Sequence, residues 1–495
     1  MTDKRHDQQG QTTTDTPFSD NVQRGNDHKF YPWRVPASDE ARSLCDFVRA
    51  AIEEHEGSPT HHTPTRKRAR KKADQLIFVR IVNALVCNAV LYGGMMKTRS
   101  RGSGKGTTGT PPPSAATTFH ISLSNRYLGS RYSHPVQSKT LPKIVKSMVD
   151  CGFLEEINRG NLGYFEPNRK PIQTTLRATP TLMTKADEFV GIDKAEEFHH
   201  HHYHFGGRDH TGEETIILKG RDAWADLETG EVKLAADAKM IPYPETTKTR
   251  RFRAEMETIN KWLADAPLEL DTEASGGGVD PSQRYLRRHF SLGDFRYGGR
   301  MFGGFWENLP KATRSKWITV AGSGEAVCTL DFGQTVVRLL YAMTTKQPPP
   351  PEGDCYHIPG FEDHRDGIKK MLTSAPFKNE KPSRFPAGVK ALFHHQTKQT
   401  KVTEIVDAIL QTHAPIAHLL FTDALIGHRM QHLESQIIIK VLLRIIHDTD
   451  IPVALPIHDA LIVPVSRHQE ARAIMQETFR EECGSCMTIP VSVVM

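Results

Sequence analysis

The sequence predicts an α+β protein of more than one domain. Three observations carry this. Two apolar runs, AVCTLDFGQTVVRLLYA (326–342) and IPVALPIHDALIVPV (451–465), have strand character, and each delivers an aspartate where the strand ends. Segments with apolar residues three and four apart, such as LPKIVKSMVD (141–150), alternate with strand patterns. Gly-rich and Ser/Thr/Pro-rich stretches at 97–118 and 275–280 divide the chain.

Size and composition bound the answer. The 495 residues, 38% hydrophobic, suffice for roughly two to four cored domains. No uninterrupted apolar run reaches the ~18 residues of a membrane span, so no membrane partner is expected. The polar start, MTDKRHDQQGQTTTDTPFSD, lacks the apolar core of a secretion signal. Seven scattered cysteines, an odd number, point to a reducing, cytoplasmic compartment. A net charge of +6 is compatible with a polyanionic partner.

Residues 1–65 read as a disordered, basic and polar N-terminus. RKRARKK (66–72) carries six basic side chains in seven positions, a solvated helix start or a phosphate-contacting arm. ADQLIFVRIVNALVCNAVLY (73–92) predicts a mostly buried helix, and 97–118 a low-complexity insertion. Ser122–Gly129 predicts a short helix. Thr140 is placed to cap the next one, with Pro142 in its first turn. Its apolar positions 141, 144, 145 and 148 form one face, leaving Lys139, Lys143 and Lys146 mainly outside it. Gly152 stops that helix, and FLEEI and IQTTLRA read as a hairpin. Helix, basic helix and two-stranded wing resemble a winged helix-turn-helix over 66–190, with the three lysines as candidate contacts to DNA. ETTKTRRFRAEMETINKWLADA (245–266) predicts a helix with a basic front end.

Asp459 sits at the turn between two apolar strands, and Asp331 at the end of another. A carboxylate losing solvation in such a setting needs a partner such as a cation. Two aspartates from distant strands, side by side, make a site for two Mg²⁺ ions, which take oxygen ligands and keep several waters. Paired metals ~3.5–4 Å apart suit in-line displacement at phosphorus. Taken singly, either aspartate could merely cap a helix or a turn.

Four blocks in order then resemble the family-A DNA polymerases. Gly299-Arg300-Met-Phe, with Asn308-Leu309-Pro310 and Arg314, resembles "TGRLSS…NLQNIP…R". Asp331-Phe-Gly-Gln334-Thr-Val336-Val-Arg338-Leu is similar to motif A, "DYSQIELRVL", and Gly353-Asp354-Cys-Tyr-His357 to the following "GD-x-H". Arg365-x3-Lys369 resembles the start of motif B. Ile457-His458-Asp459 resembles motif C, "VHDE". SQIIIKVLLRI (435–445) and TIPVSVVM resemble the helix before motif C and the last palm strand.

The resemblance implies a right-hand palm and fingers over 281–495, with an antiparallel palm sheet, and a linker or thumb-like helical region over 191–280. It implies that Asp331 and Asp459, with the Phe332 carbonyl, hold two Mg²⁺ ions. These would assist attack of a primer 3′-hydroxyl on a nucleoside triphosphate. Arg365 and Lys369, four apart on one helix face, would hold the triphosphate, Lys369 also serving as general acid. Thr373 and Phe377 would continue that face against the nucleotide, and Val336 would line the sugar. Arg300 would touch the minor groove of a DNA primer-template, His458 the primer end, and Arg338 would support the palm.

The chain departs from the pattern in three places. Ala460 replaces the motif-C acid, Val336 the motif-A glutamate that excludes ribose, and Thr373 the motif-B aromatic. These keep two alternatives open: a primase-like or single-subunit RNA polymerase using ribonucleotides, and a non-catalytic DNA-binding initiator with a decayed palm.

Other signals are set aside. The kinase-like "DFG" (331–333) and "HRD" (364–366) occur in the wrong order. Gly102–Thr107 lacks the spacing of a phosphate loop. Leu270-Asp271-Thr-Glu273 leaves no room for a nuclease domain, so no proofreading is expected. His199–His204 reads as an exposed loop. Cys483-x2-Cys486 has no second pair to complete a zinc site. The expectation is a DNA polymerase without proofreading, serving replication of a phage, plasmid or mobile element.

Overall fold

The computed structural model describes residues 27–57, 70–101, 118–124, 127–160, 173–191, 202–220, 223–225, 232–234, 238–271, 279–349, 353–386, 388–393 and 401–494. It mixes helix and sheet throughout. The described residues form two compact units. Gln23–Glu214 with Leu270–Gln283 make the N-terminal unit, and Thr215–Glu269 with Arg284–Met495 belong to the C-terminal unit. The segment 191–280, expected as one linker or thumb-like region, is therefore shared between the two.

In the N-terminal unit the elements run β1 (Asp27–Lys29), α1 (Asp39–Gly57), α2 (Lys72–Arg101), β2 (Thr118–Ile121), α3 (Leu141–Asp150), β3 (Leu154–Asn158), β4 (Thr174–Ala178) and α4 (Pro180–Val190). The sheet order is β1-β2-β4-β3, with β1 parallel to β2 and the other pairs antiparallel. Its core is α2, buried almost continuously from Ile81 to Tyr92 because its sequence is apolar all round. Lys72–Gly93 is long and apolar enough to cross a membrane, but 67% of that window is buried inside the protein, as in a core helix. On α3 the expected stripe, Leu141, Ile144, Val145 and Met148, is buried, and Gly152 ends the helix at φ +74°.

Several expectations change here. Residues 39–57 are not disordered. Ala41, Leu44, Cys45, Val48 and Ile52 keep helical spacing amid charged neighbours and pack inward. Ser38 caps that helix, its hydroxyl accepting the Ala41 N–H at 3.2 Å. Ser122–Gly129 forms no helix among its described residues; a strand, Thr118–Ile121, precedes it instead. Thr140 is the N-cap of α3, but its hydroxyl meets Ser138 at 2.9 Å rather than the helix backbone. Arg70 is no phosphate arm: it reaches Glu53 and Glu56 at 3.0 and 2.6 Å and lies 3.5 Å over the Phe78 ring. Of the histidine run, 202–205 is helical and His204 is buried against Ser38 at 2.5 Å, so it is not an exposed loop. Residues 1–26, 66–69, 102–117, 199–201 and 272–278 lie outside the described residues. Part of the expected N-terminus and basic run, the insertion, Gly102–Thr107, the first histidines and Glu273 therefore fall there.

The C-terminal unit contains β5 (Ile216–Leu218), α5 (Thr247–Asp265), β6 (Arg287–Phe290) and β7 (Gly298–Phe302). It continues with β8 (Ile318–Val320), β9 (Glu325–Phe332), α6 (Thr335–Thr344), α7 (Arg365–Ser374), α8 (Leu425–Asp448), β10 (Leu455–Ile457), β11 (Ala460–Pro464), α9 (His468–Cys483) and β12 (Val491–Val494). A three-stranded sheet is ordered β7-β6-β5. The main sheet runs from the strand Leu268–Leu270 through β8, β9, β11 and β10, and β12 also pairs with β9. Strand β9 is buried at four successive positions, Val327 to Leu330, because both faces of the sheet are covered. This continuous burial ends at Asp331, which is only partly buried.

Candidate active site

Asp331 pairs with Ala460 across β9 and β11, and the Phe332 N–H donates to the Asp459 carbonyl at 3.3 Å. The two aspartates thus come from neighbouring strands at the same sheet end. At the β10–β11 turn His458 takes φ +55°, which carries the chain round in two residues. After β9, Gly333 turns sharply, its N–H on the Pro490 carbonyl at 2.7 Å; an added Cβ would lie 2.9 Å from Pro490 Cγ. Gln334 follows at φ +62° and starts α6.

The carboxylates are held by different partners. Thr335 Oγ1 lies 2.8 Å from both Asp459 Oδ2 and the Phe332 carbonyl, so one hydroxyl proton serves two acceptors. Lys311 Nζ is 3.5 Å from Asp331 Oδ2. Burial, and then the nearby charge of Asp459, push the Asp331 carboxyl up, while Lys311 and Lys369 pull it back. Two hard-oxygen donors from neighbouring strands, with Asp331 pushed up by burial and the charge of Asp459, fit a divalent cation such as Mg²⁺. Among the described residues no group of three His, Cys, Asp or Glu side chains could hold a metal, so further ligands would be water, phosphate or the Phe332 carbonyl, which keeps a second lone pair.

Arg365 and Lys369 share one face of α7 as expected. Arg365 pairs with Asp354 and lies 5.3 Å over the Tyr356 ring. Lys369 is exposed, and its charge acts on Asp331. Thr373 turns its hydroxyl back to the Lys369 carbonyl at 2.8 Å. Phe377 does not continue that face: Pro376 cannot extend the helix, and a 3-10 turn, Ala375–Phe377, follows. Phe377 packs instead on α8, edge-on to His428 at 5.6 Å, where a Cβ on Gly427 would meet its ring at 2.4 Å. Val336 sits half-buried in the first turn of α6.

Arg300, expected to touch a minor groove, is engaged within the protein. Its Nε and Nη2 fork onto Glu434 at 2.7 and 2.9 Å. Burial pushes the Glu434 carboxyl up; Arg300 pulls against this, and Asp459 adds to it. His458 packs on Phe302 at 5.6 Å, and burial, with Arg300 close by, pushes its imidazole down to about 4, so it is neutral at pH 7. Arg338 supports the fold as expected, reaching the Thr488 carbonyl at 2.7 Å and Gln334 at 3.0 Å. Sequence reasoning missed Lys311, Thr335 and Glu434. The one usable signal was Glu434, an acid among the apolar positions of a long helix.

In the N-terminal unit Lys139, Lys143 and Lys146 are all exposed, and Lys146 pairs with Asp150 at 2.5 Å. All seven cysteines are free thiols, including Cys483 and Cys486.

No protein-family model and no curated protein matches this chain. Among solved structures, the POL domain of Pol1 from M. smegmatis, in complex with DNA primer-template and dNTP, is similar at 14% sequence identity and a TM-score of 0.28. The match covers 50% of each chain, a likeness too weak to bear on the fold or the activity.

Proposed function

We propose that the chain is a template-directed nucleotidyltransferase: a DNA polymerase that extends a primer with nucleoside triphosphates. The observation that carries this is the adjacency of Asp331 and Asp459 at one end of an antiparallel sheet. Asp331 and Asp459, with the Phe332 carbonyl, would hold two Mg²⁺ ions, which supply charge stabilisation to displacement at phosphorus. The chain's own residues do the rest. Thr335 orients Asp459 through its hydroxyl. Lys369, exposed on α7 with its charge acting on Asp331, would meet the triphosphate and hand a proton to the departing pyrophosphate. Arg365 gives the same face a second charge. Arg300 and Glu434 brace the turn behind Asp459 rather than contact DNA.

The same proposal makes the N-terminal unit a winged-helix DNA-binding module. Its order of α2, β2, α3, β3 and β4, with β2-β4-β3 as three strands of a four-stranded sheet, supports that reading. Lys139, Lys143 and Lys146 would then contact duplex phosphates.

Primer extension tests the proposal. DNA and RNA templates are offered with Mg²⁺, giving deoxyribo- and ribonucleotides separately, beside Asp459→Ala. Extension that Asp459→Ala abolishes is expected, and the sugar used settles what Val336 permits. No extension in any combination would favour a non-catalytic DNA-binding initiator.

A further inference from the structure

Lys311 lies in a pinned loop. Thr313 donates its N–H and hydroxyl to the Pro310 carbonyl at 3.0 and 2.9 Å, and Arg314 Nε reaches the Trp306 and Leu309 carbonyls, each at 3.0 Å. Buried Trp306 anchors this loop to β10, its indole N–H on the Pro456 carbonyl at 2.9 Å. From that fixed base the Lys311 side chain, 65% exposed, extends to Asp331. Among the described residues no other ammonium or guanidinium is within ion-pair distance of Asp331 or Asp459. Ala460, across from Asp331, adds no third carboxylate. Among the described residues Lys311 is therefore the ion-pair partner of the two carboxylates, while the charge of Lys369 acts on Asp331 from beyond ion-pair distance.

We propose that Lys311 is a tethered counter-ion, which neutralises Asp331 while the site is free of metal and withdraws when a divalent cation binds. This rests on reading Asp331 and Asp459 as a metal centre. An ammonium and a divalent cation on the same carboxylate repel each other, so metal binding works against the ion pair. Because Lys311 is mostly exposed, it can swing into solvent, and solvent screens the pair. Pairs of this kind shift an equilibrium by a factor of about two to five. Lys311 would therefore raise the metal concentration that the site requires.

The test measures Mn²⁺ binding to the full chain, without DNA or nucleotide, from the electron paramagnetic resonance signal of free Mn²⁺. Wild type, Lys311→Met, Lys311→Gln, Lys311→Arg and Asp331→Asn are compared, with thermal unfolding run on each. Both neutral variants should bind Mn²⁺ about two- to fivefold more tightly. Lys311→Arg should match wild type, and Asp331→Asn should lose the site. The same Mn²⁺ concentration should raise the unfolding midpoint of Lys311→Met more than that of wild type, which a merely structural lysine would not produce. Unchanged or weaker binding by both neutral variants, with Asp331→Asn still defective, would overturn the role of Lys311 and leave the metal centre standing. Wild-type binding by Asp331→Asn would instead remove the metal centre, and the Lys311 proposal with it.

Discussion

The guanidinium of Arg300 grips the carboxylate of Glu434 through two parallel hydrogen bonds at 2.7 and 2.9 Å, joining β7 to α8 close enough to Asp459 for its charge to act on both. The Glu434 side chain is only 3% exposed and that of Arg300 21%. Removing one partner therefore strands a buried charge. Glu434→Ala should cost about 3 kcal/mol in urea unfolding, and Arg300→Met a similar amount. The double variant should cost clearly less than the sum, because it leaves no unpaired charge. Strict additivity would mean that the fork contributes nothing as a pair.

Glu307 accepts the Gly303 and Gly304 N–H groups at 3.0 and 3.1 Å, yet burial pushes its carboxyl up to about 7. An unfolded glutamate titrates near ~4.3. Between those values the folded chain holds a proton that the unfolded chain has released. This group's contribution is thus fully present below about pH 4 and is lost as pH rises through the folded value of about 7. Glu307→Gln should remove that loss. The difference in unfolding free energy between the variant and wild type should shift in favour of the variant from pH 5 to pH 8. A difference that stays flat across the window would refute the raised value. Using the difference cancels the opposing contribution of His458, which is pushed down to about 4.

Gly427 exists for the Phe377 ring, which a Cβ would meet at 2.4 Å. Gly427→Ala should destabilise by about 1–3 kcal/mol through overpacking. Adding Phe377→Ala should recover part of that loss, a non-additivity expected of touching residues. If Phe377 served a nucleotide instead of this contact, Phe377→Ala would change nucleotide KM and leave the Gly427→Ala penalty untouched.

The local pieces were legible in the sequence, whereas the meeting of the two aspartates was expected only through the family resemblance. Apolar runs that stop at Asp331 and Asp459 can be seen in ten residues, and so can the four-residue spacing of Arg365 and Lys369. What was not legible depends on partners far along the chain. Arg300 looked free because nothing near it in sequence announces Glu434. Nothing beside Lys311 in the sequence announces Asp331, which β9 brings to it. Phe377 looked like the next turn of a helix, and Pro376 overrode the spacing. The helix Asp39–Gly57 was hidden by composition: its charged face outweighs a narrow apolar stripe whose spacing was nonetheless regular.

Thr335 gives a smaller test of the same site. Thr335→Val keeps the shape but removes the hydroxyl shared by Asp459 and the Phe332 carbonyl. It should lower stability by about 1 kcal/mol and weaken Mn²⁺ binding severalfold, whereas Thr335→Ser should keep both. Equal Mn²⁺ affinity in Thr335→Val and wild type would show that Asp459 needs no such orientation.

The most direct measurement is the single-turnover rate of nucleotide addition to a primer, followed by rapid quench with saturating Mg²⁺. It would compare Asp331→Asn, Asp459→Asn and the double variant, each first shown to be folded. Each single change should cost about 10³-fold or more, and the double variant should lose less than about tenfold beyond that, because two ligands of one centre act as a unit. A rate within about tenfold of wild type for either single variant would contradict the claim that these two carboxylates share the chemistry.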